Sequence, residues 1–350
     1  MSEKAGKIDE RLLGDFITSN CGTPNKKVLV GPGFGIDVSI VELTEGQAMA
    51  LTSDPLSLIP SLGLQESAWL SVHLMANDMA TTGFAPQFGQ FVLNLPATLS
   101  QADFKIYWQY VHEYCSKLGV AITGGHTGFV EGQNSTIAGG GTFICIAPKD
   151  QMLATPKAQA GDCILVTKGA AISSAAILAM SFPKTVSNKL GKEVYQGASD
   201  SFYQTSSIKD ALTARGNAAE NNVSAMHDVT EGGVMGAIYE LASAANCGAV
   251  IEEDLIPVGE VQEAVCRLFS LDPLHCIGAG SMLITCKKNQ VEKIKSRLAN
   301  ENIACTEVGQ LTTAEEGISI LKEGVKAPMI YQSVDPYWEA FFSAYKNGWQ

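Results

Sequence analysis

Along the first half of the chain, apolar residues fall in short runs separated by polar or glycine-rich breaks. VLV at 28–30, AMALT at 48–52, FVLNL at 91–95, VAIT at 120–123 and TFICIA at 142–147 predict strands. Between them the spacing turns helical. From Glu66 to Thr82, Trp69, Val72, Ala76, Met79 and Ala80 recur at three- and four-residue intervals, and Gly83 and Pro86 supply a stop. A second helix should start after Ser100, whose hydroxyl can cap it with Asp103 in the first turn, and end at Gly119.

The pattern repeats in kind after a break at 148–162, PKDQMLATPKAQAGD, where two prolines and Gly161 interrupt the apolar runs. CILVT predicts a strand, and an Ala-rich helix should follow from about Ile172. VSAM at 223–226 predicts another strand, leading to a helix over about 232–245. GAVIEE, SMLITC, ACTEVGQ and GISIL supply further strands, with helices near 259–269 and 289–300. Residues 183–207, rich in Lys, Ser, Gly and Asn, read as a surface excursion, with a substrate lid as the alternative. The expected organisation is two α+β domains, residues 1–150 and 160–325, and an extension over 326–350.

Composition narrows the function. With 350 residues, 46% hydrophobic and 17% charged, the chain suits two packed domains rather than disorder or a coiled coil. The net charge of −12 argues against a nucleic-acid surface and against anionic membranes. No apolar run reaches the roughly 18 residues of a membrane span, and the start MSEKAGKIDE lacks a secretory segment, so the expected location is the cytoplasm. The nine cysteines include no CxxC pair and read as buried thiols.

The distribution of charge says more than its sum. No Lys or Arg lies between Lys27 and Lys105, between Lys117 and Lys149, or between Arg215 and Arg267. Within these base-free stretches, five segments bring carboxylates, glycines or hydroxyls together. They are GPGFGIDVS at 31–39, LTSDP at 51–55, Asn77 and Asp78 in an otherwise apolar helix, ITGGHTGFVEG at 122–132, and MHDVTEGGVMG at 226–236. Glycines at 31, 33 and 35 allow close approach of backbone amides to an anion. Asp37, Asp54 and Asp78 are hard oxygen donors that, converging, would suit Mg²⁺ with substrate phosphates. Asp78 and Asn77 disfavour helix interiors, so solvent exposure is the competing explanation for them. Gly124 and Gly125 predict a turn with His126 and Thr127 at its tip. His227, Asp228 and Thr230 precede a glycine-opened helix start, a place suited to phosphate, although Thr230 also suits a plain N-cap and Asp228 a turn. Since none of the five holds a Lys or Arg, a bound triphosphate would depend strictly on metal and backbone amides. The nearest cations in sequence are Lys26, Lys27 and Lys168.

In this order the segments resemble the PurM-like, AIR synthase-related ATP-binding superfamily. The resemblance spans about Val28 to Gln310. Its most telling parts are the Asn-Asp helix followed by GFAP at 83–86, GGHT at 124–127 and HDVTEGGVMGA at 227–237. LIPV at 255–258 and DPLHCIGAGSMLI at 272–284 are similar to the HypE-related branch. The resemblance implies a two-domain PurM-like α+β fold, with the N-terminal sheet forming a barrel-like core with a second subunit and ATP bound at that homodimer junction. It implies Mg²⁺ on Asp37, Asp54 and Asp78, and nucleotide contacts from Gly31, Gly33, Gly35, Asn77, Gly124, Gly125, His126 and Thr127. Asp228 and His227 are then the catalytic candidates, and His126 a further acid–base candidate. The function implied is a Mg²⁺- and ATP-dependent enzyme phosphorylating or dehydrating an oxygen of a small or partner-borne substrate. The alternative is a non-catalytic nucleotide-binding factor serving a partner protein in metalloenzyme maturation. HypE-type proteins carry their reacting group on a terminal cysteine, whereas this sequence runs to YKNGWQ with no cysteine after Cys305.

Overall fold

The computed structural model describes residues 10–44, 46–220 and 222–350. After a helical turn α1 (Glu10–Leu12), the N-terminal part holds β1 (Val28–Val30), β2 (Ser39–Thr44), β3 (Gln47–Ser57), α2 (Leu64–Ala80), β4 (Phe88–Pro96), α3 (Gln101–Leu118), β5 (Ala121–Val130) and β6 (Ile137–Pro148). Its six strands form one sheet in the order β1-β2-β3-β6-β4-β5. The pairings are antiparallel except for β4 with β5, which are parallel and joined through the crossover helix α3. The sheet is open in the single chain, ending at β1 and β5.

The helix signals act where the sequence places them. The Ser100 hydroxyl accepts from the Asp103 amide at 3.0 Å, and Gly119 closes α3 in the left-handed conformation. Strand β4 alternates strictly, with Phe91, Leu93 and Leu95 buried under α2 and α3 while Phe88, Gln90 and Val92 face outward. Helix α2 has little amphipathic contrast because it is covered on several sides: Met75 and Met79 join the sheet's core, and Leu70 joins a core of the second domain.

The C-terminal part begins at β7 (Cys163–Thr167) and continues with α4 (Ile172–Ser181), α5 (Pro183–Leu190), α6 (Lys192–Asp200), α7 (Ile208–Arg215), β8 (Ala225–Asp228) and α8 (Gly233–Ala244). Then come β9 (Cys247–Glu252), α9 (Glu260–Leu268), β10 (Met282–Cys286), α10 (Val291–Asn300), β11 (Cys305–Thr313), β12 (Ile318–Lys322), β13 (Val325–Pro328) and α11 (Tyr337–Lys346). Seven strands form the sheet β13-β12-β9-β11-β7-β10-β8. All pair antiparallel except β12 with β9. Among the described residues, no helix is long and apolar enough to cross a membrane. All nine cysteines are free, six of them buried.

Three expectations change. Residues 183–207 are not a loose excursion: α5, α6 and the 3-10 turn at Phe202–Thr205 bury Val186, Ala198 and Phe202 against α4 and α9. Their long polar side chains point outward, which masked a sparse apolar stripe. GGHT is not a turn either. Gly124 to Thr127 continue β5 in register with Gln90 to Leu93 of the parallel neighbour. Gly125 has a φ of +146°, and a Cβ there would run into the Phe91 carbonyl, so the glycine serves close strand approach rather than chain reversal. Finally, the strand expected at VSAM sits two residues later, so His227 and Asp228 belong to β8 itself.

Candidate active site

Four aspartates from both halves of the fold, together with Glu231, line one cavity of about 350 Å³. Asp37 comes from the loop between β1 and β2, Asp54 from β3, Asp78 from the last turn of α2 and Asp228 from the end of β8. The Thr52 hydroxyl donates to Asp78 Oδ2 at 2.8 Å, fixing that carboxylate from the neighbouring strand. Asp78 is partly buried and faces the cavity. Burial first, and then repulsion from Asp228, Asp54 and Asp37, hold its carboxyl well above the usual range. Among the described residues, no Lys, Arg or His lines this cavity. Lys168 is committed elsewhere: its ammonium donates to the carbonyls of Gln204, Ser206 and Gly280 at 2.9, 2.8 and 2.7 Å and pairs with Asp210 at 3.2 Å.

His227 lies behind the cavity wall. Its Nδ1 stands 2.8 Å from Asp37 Oδ2 and its Nε2 3.3 Å from Glu240 Oε2, with the ring 1% exposed. Burial pulls the imidazole down, but the Asp37 and Glu240 carboxylates outweigh it and hold its pKa at about 10. The chain of contacts runs on to Tyr331, whose hydroxyl donates to Glu240 Oε1 at 3.4 Å. Glu240 sits on α8, so His227 links the first domain's loop to the second domain's helix. The glycine loop is seated on the same helix: Gly35 has a φ of +70°, and a Cβ there would overlap the Glu240 carbonyl. Phe34 packs edge-on against Tyr239 and Tyr331, at 6.1 and 5.5 Å between centroids.

The other expected nucleotide contacts are divided. Gly31 lines a groove on the far side of Asp37, with Ser53 and Thr142, whose hydroxyls lie 2.8 Å apart. Gly33 and Gly35 line a smaller hollow bounded by Leu13, Glu240 and Tyr331. Asn77 is buried, and both ends of its amide are engaged: Nδ2 donates to the Thr205 carbonyl at 2.9 Å, and Oδ1 accepts from the Ser207 amide at 2.7 Å. It clamps α2 to the segment preceding α7. Gly124, Gly125, His126 and Thr127 lie on the exposed edge strand β5, and none lines these three cavities.

The donor set bears on a metal. Among the described residues, no three His, Cys, Asp or Glu side chains converge closely enough to hold an ion by themselves. The carboxylates instead ring a cavity, without a neutralising cation on its walls. Hard oxygens in that arrangement fit Mg²⁺, which takes one or two carboxylates and fills its remaining positions with water and phosphate.

Comparison with known proteins decides the family. The model of the AIR synthase related protein N-terminal domain matches residues 35–147, and that of the AIR synthase related protein C-terminal domain matches residues 159–322. The chain belongs to the AIR synthase related proteins. It is 29% identical over 218 residues to the carbamoyl dehydratase HypE of Cupriavidus necator, covering 62% of this chain and 59% of that protein. It is 27% identical over 228 residues to the carbamoyl dehydratase HypE of Escherichia coli, covering 64% and 63%. The match thus spans under two thirds of either relative. A crystal structure of the hydrogenase maturation protein HypE in complex with ATP shares the fold, with a TM-score of 0.68 at 18% identity over 95% of this chain and 97% of that one.

Within this AIR synthase related fold, the segment at 329–350, most of the extension expected over 326–350, builds part of the site. Asp335 is buried; its Oδ2 accepts from the Gly232 amide at 2.7 Å and its Oδ1 from the Tyr337 amide at 2.8 Å. Burial pushes its carboxyl up to about 6, against the pull of these two donors. The bond to Gly232 fastens the loop after Asp228, and it delivers Tyr337 and Trp338 to the cavity wall. The aromatic run YWEAFF at 337–342 was the available signal for a docked helix. Glu240 had none beyond its place on a helix, because its partner His227 is remote in sequence.

Proposed function

We propose that this protein is a Mg²⁺- and ATP-dependent enzyme that moves the γ-phosphoryl group of ATP onto an oxygen of a second substrate, activating that oxygen for loss of water. The observation that carries the reading is the convergence of Asp37, Asp54, Asp78 and Asp228 from both domains on one cavity whose walls hold no Lys, Arg or His. A phosphate can enter such a place only with divalent cations. Two HypE relatives are named carbamoyl dehydratases, and a structural neighbour was solved with ATP, which supports a carboxamide-type acceptor.

For an acceptor R–CO–NH₂, the carboxamide oxygen attacks the γ-phosphorus and the bond to the bridging oxygen of ADP breaks. The nitrogen gives up one proton, leaving R–C(=NH)–OPO₃²⁻. Loss of the C–O bond, with the remaining nitrogen proton passing to phosphate, gives R–C≡N and inorganic phosphate. No oxidant or reductant is needed. Bound Mg²⁺ would spread the charge that develops on the transferring group. The chain's own residues hold the rest. Thr52 orients Asp78, His227 positions Asp37, and Asp228, on the cavity wall and outside the ion pairs that His227 makes with Asp37 and Glu240, is our candidate for orienting the acceptor. Gly31 and the Ser53–Thr142 groove lie where backbone and hydroxyl donors can meet the polyphosphate. His126 and its neighbours on β5 would serve a nucleotide across a homodimer junction, the outward face of β4 supplying Phe88 and Val92 as apolar contacts.

Isothermal titration with ATP and Mg²⁺ tests the reading. Wild type should bind, Asp54→Asn should lose at least tenfold in affinity, and ADP production should rise with a carboxamide. Absence of ATP binding by wild type would sink it. Tight binding with no ADP under any acceptor would favour the maturation factor without turnover.

A further inference from the structure

We infer that the second substrate is a small molecule with an apolar body and no anionic group, closed in by Trp338. This rests on the phosphoryl-transfer reading and specifies its acceptor. The cavity is lined by two unlike kinds of side chain. Its carboxylates are the four aspartates and Glu231. Its apolar lining, Ile59, Leu70, Leu74, Ile177, Ile277 and Trp338, belongs to or packs against one hydrophobic cluster. On α2, Leu70, Leu74 and Asp78 follow at four-residue steps along one face, so the apolar lining runs away from Asp78 toward the start of the helix. Ile59, Leu70 and Ile177 are buried at 6%, 2% and 8% exposure, so these are formed walls and not a surface patch.

The acceptor oxygen must point toward the aspartates, because the phosphoryl group arrives there. Its remainder therefore lies against the aliphatic wall. A phosphate or carboxylate on that remainder would be stripped of water among hydrocarbon side chains, with Glu231 the additional charged neighbour and again negative. An apolar ring or branched chain instead gains by burial there. The volume, about 350 Å³, lies near the lower limit for small-molecule sites, which suits a single-ring compound.

The wall is completed from 335–338. Trp338 is held by the Asp335 anchor and packs with Tyr337, Phe341 and Phe342 at 5.2, 6.4 and 6.1 Å between centroids. Residues 349 and 350 fasten the same segment: the Thr185 amide donates to the Gln350 carbonyl at 2.6 Å, and Trp349 packs on Phe269 at 5.0 Å.

Two probes with the same ring separate the possibilities. In MgCl₂, 4-methylbenzamide and 4-carbamoylbenzoate are titrated into the full chain, by calorimetry and by the Trp338 indole N–H resonance, assigned with Trp338→Phe. The neutral amide should bind and shift that resonance, and the benzoate should bind at least tenfold more weakly. Ile177→Lys, which places an ammonium on the apolar wall, should reverse the order. Failure of the amide to bind, equal or tighter binding of the benzoate by wild type, or binding that leaves the Trp338 resonance unmoved would each overturn the inference. ATP binding is titrated in parallel. Its absence with amide binding intact would overturn the phosphoryl-transfer reading and leave the cavity's preference standing; its presence without amide binding would overturn this inference alone.

Discussion

Replacing Asp78 by Asn should make the ligand-free protein more stable while abolishing its response to nucleotide. Asp78 is partly buried, and its neighbours Asp228, Asp54 and Asp37 are all acidic; loss of water and then their repulsion hold its carboxyl well above the usual range. Two like charges about 6 Å apart at an effective dielectric of 20 repel by roughly 3 kcal/mol. Since Asp78 escapes part of this by taking up a proton, we expect Asp78→Asn to gain about 1–2 kcal/mol without ligand. Asn keeps an oxygen for the Thr52 hydroxyl, whose bond to Asp78 is 2.8 Å, so that contact is not forfeited. The gain corresponds to a rise in Tm of roughly 2–8 °C on the scaling for large domains. Wild type should instead be stabilised by ligand, by about 2.7 kcal/mol when ATP and Mg²⁺ stand at a hundred times Kd. Scanning fluorimetry in EDTA, and again with MgATP, reads both effects. An Asp78→Asn protein less stable than wild type in EDTA would refute the repulsion argument. One that gains as much from MgATP as wild type would refute the role of Asp78 in binding.

Three further outcomes can be checked. Burial lowers the His73 imidazole to about 4, with its bond to the Trp69 carbonyl opposing, so the unfolded chain, at 6.5, binds the extra proton first. Stability is therefore complete above pH 6.5 and lost as pH falls toward 4, by up to about 3 kcal/mol from this group, and urea midpoints of His73→Phe should show a shallower slope in that window. Gly35→Ala should cost at least roughly 1–2 kcal/mol and weaken ATP binding in calorimetry, because a Cβ meets the Glu240 carbonyl at a positive φ. Asp335→Ala leaves the Gly232 and Tyr337 amides without their acceptor and should cost about 2–4 kcal/mol in chemical unfolding, with hydrogen exchange rising first in α11 and the loop after Asp228.

Local pattern made much of the architecture legible. Helices α2 and α3, the Ser100 cap and the Gly119 stop follow from spacing and terminal residues, because those signals act within a few positions of the chain. The long base-free stretches of glycines and carboxylates likewise mark Asp37, Asp54, Asp78 and Asp228, since so many acidic residues without bases need a partner from outside. GGHT misled as a turn for a physical reason: glycine signals chain reversal and close strand approach alike, and only the neighbour β4 distinguishes them.

What the sequence determined by itself, then, was the set of elements, the family resemblance and the acid-rich, base-free loops, all of which rest on local order or on short motifs. Tertiary structure alone decided what each polar group does. Asn77 is engaged by a backbone 128 and 130 positions away, His227 is held between Asp37 and Glu240, and Trp338 reaches the cavity wall beside Asp335, which bonds to Gly232 across 103 positions. Burial and pairing over such separations set charge, orientation and access, and no spacing along the chain encodes them.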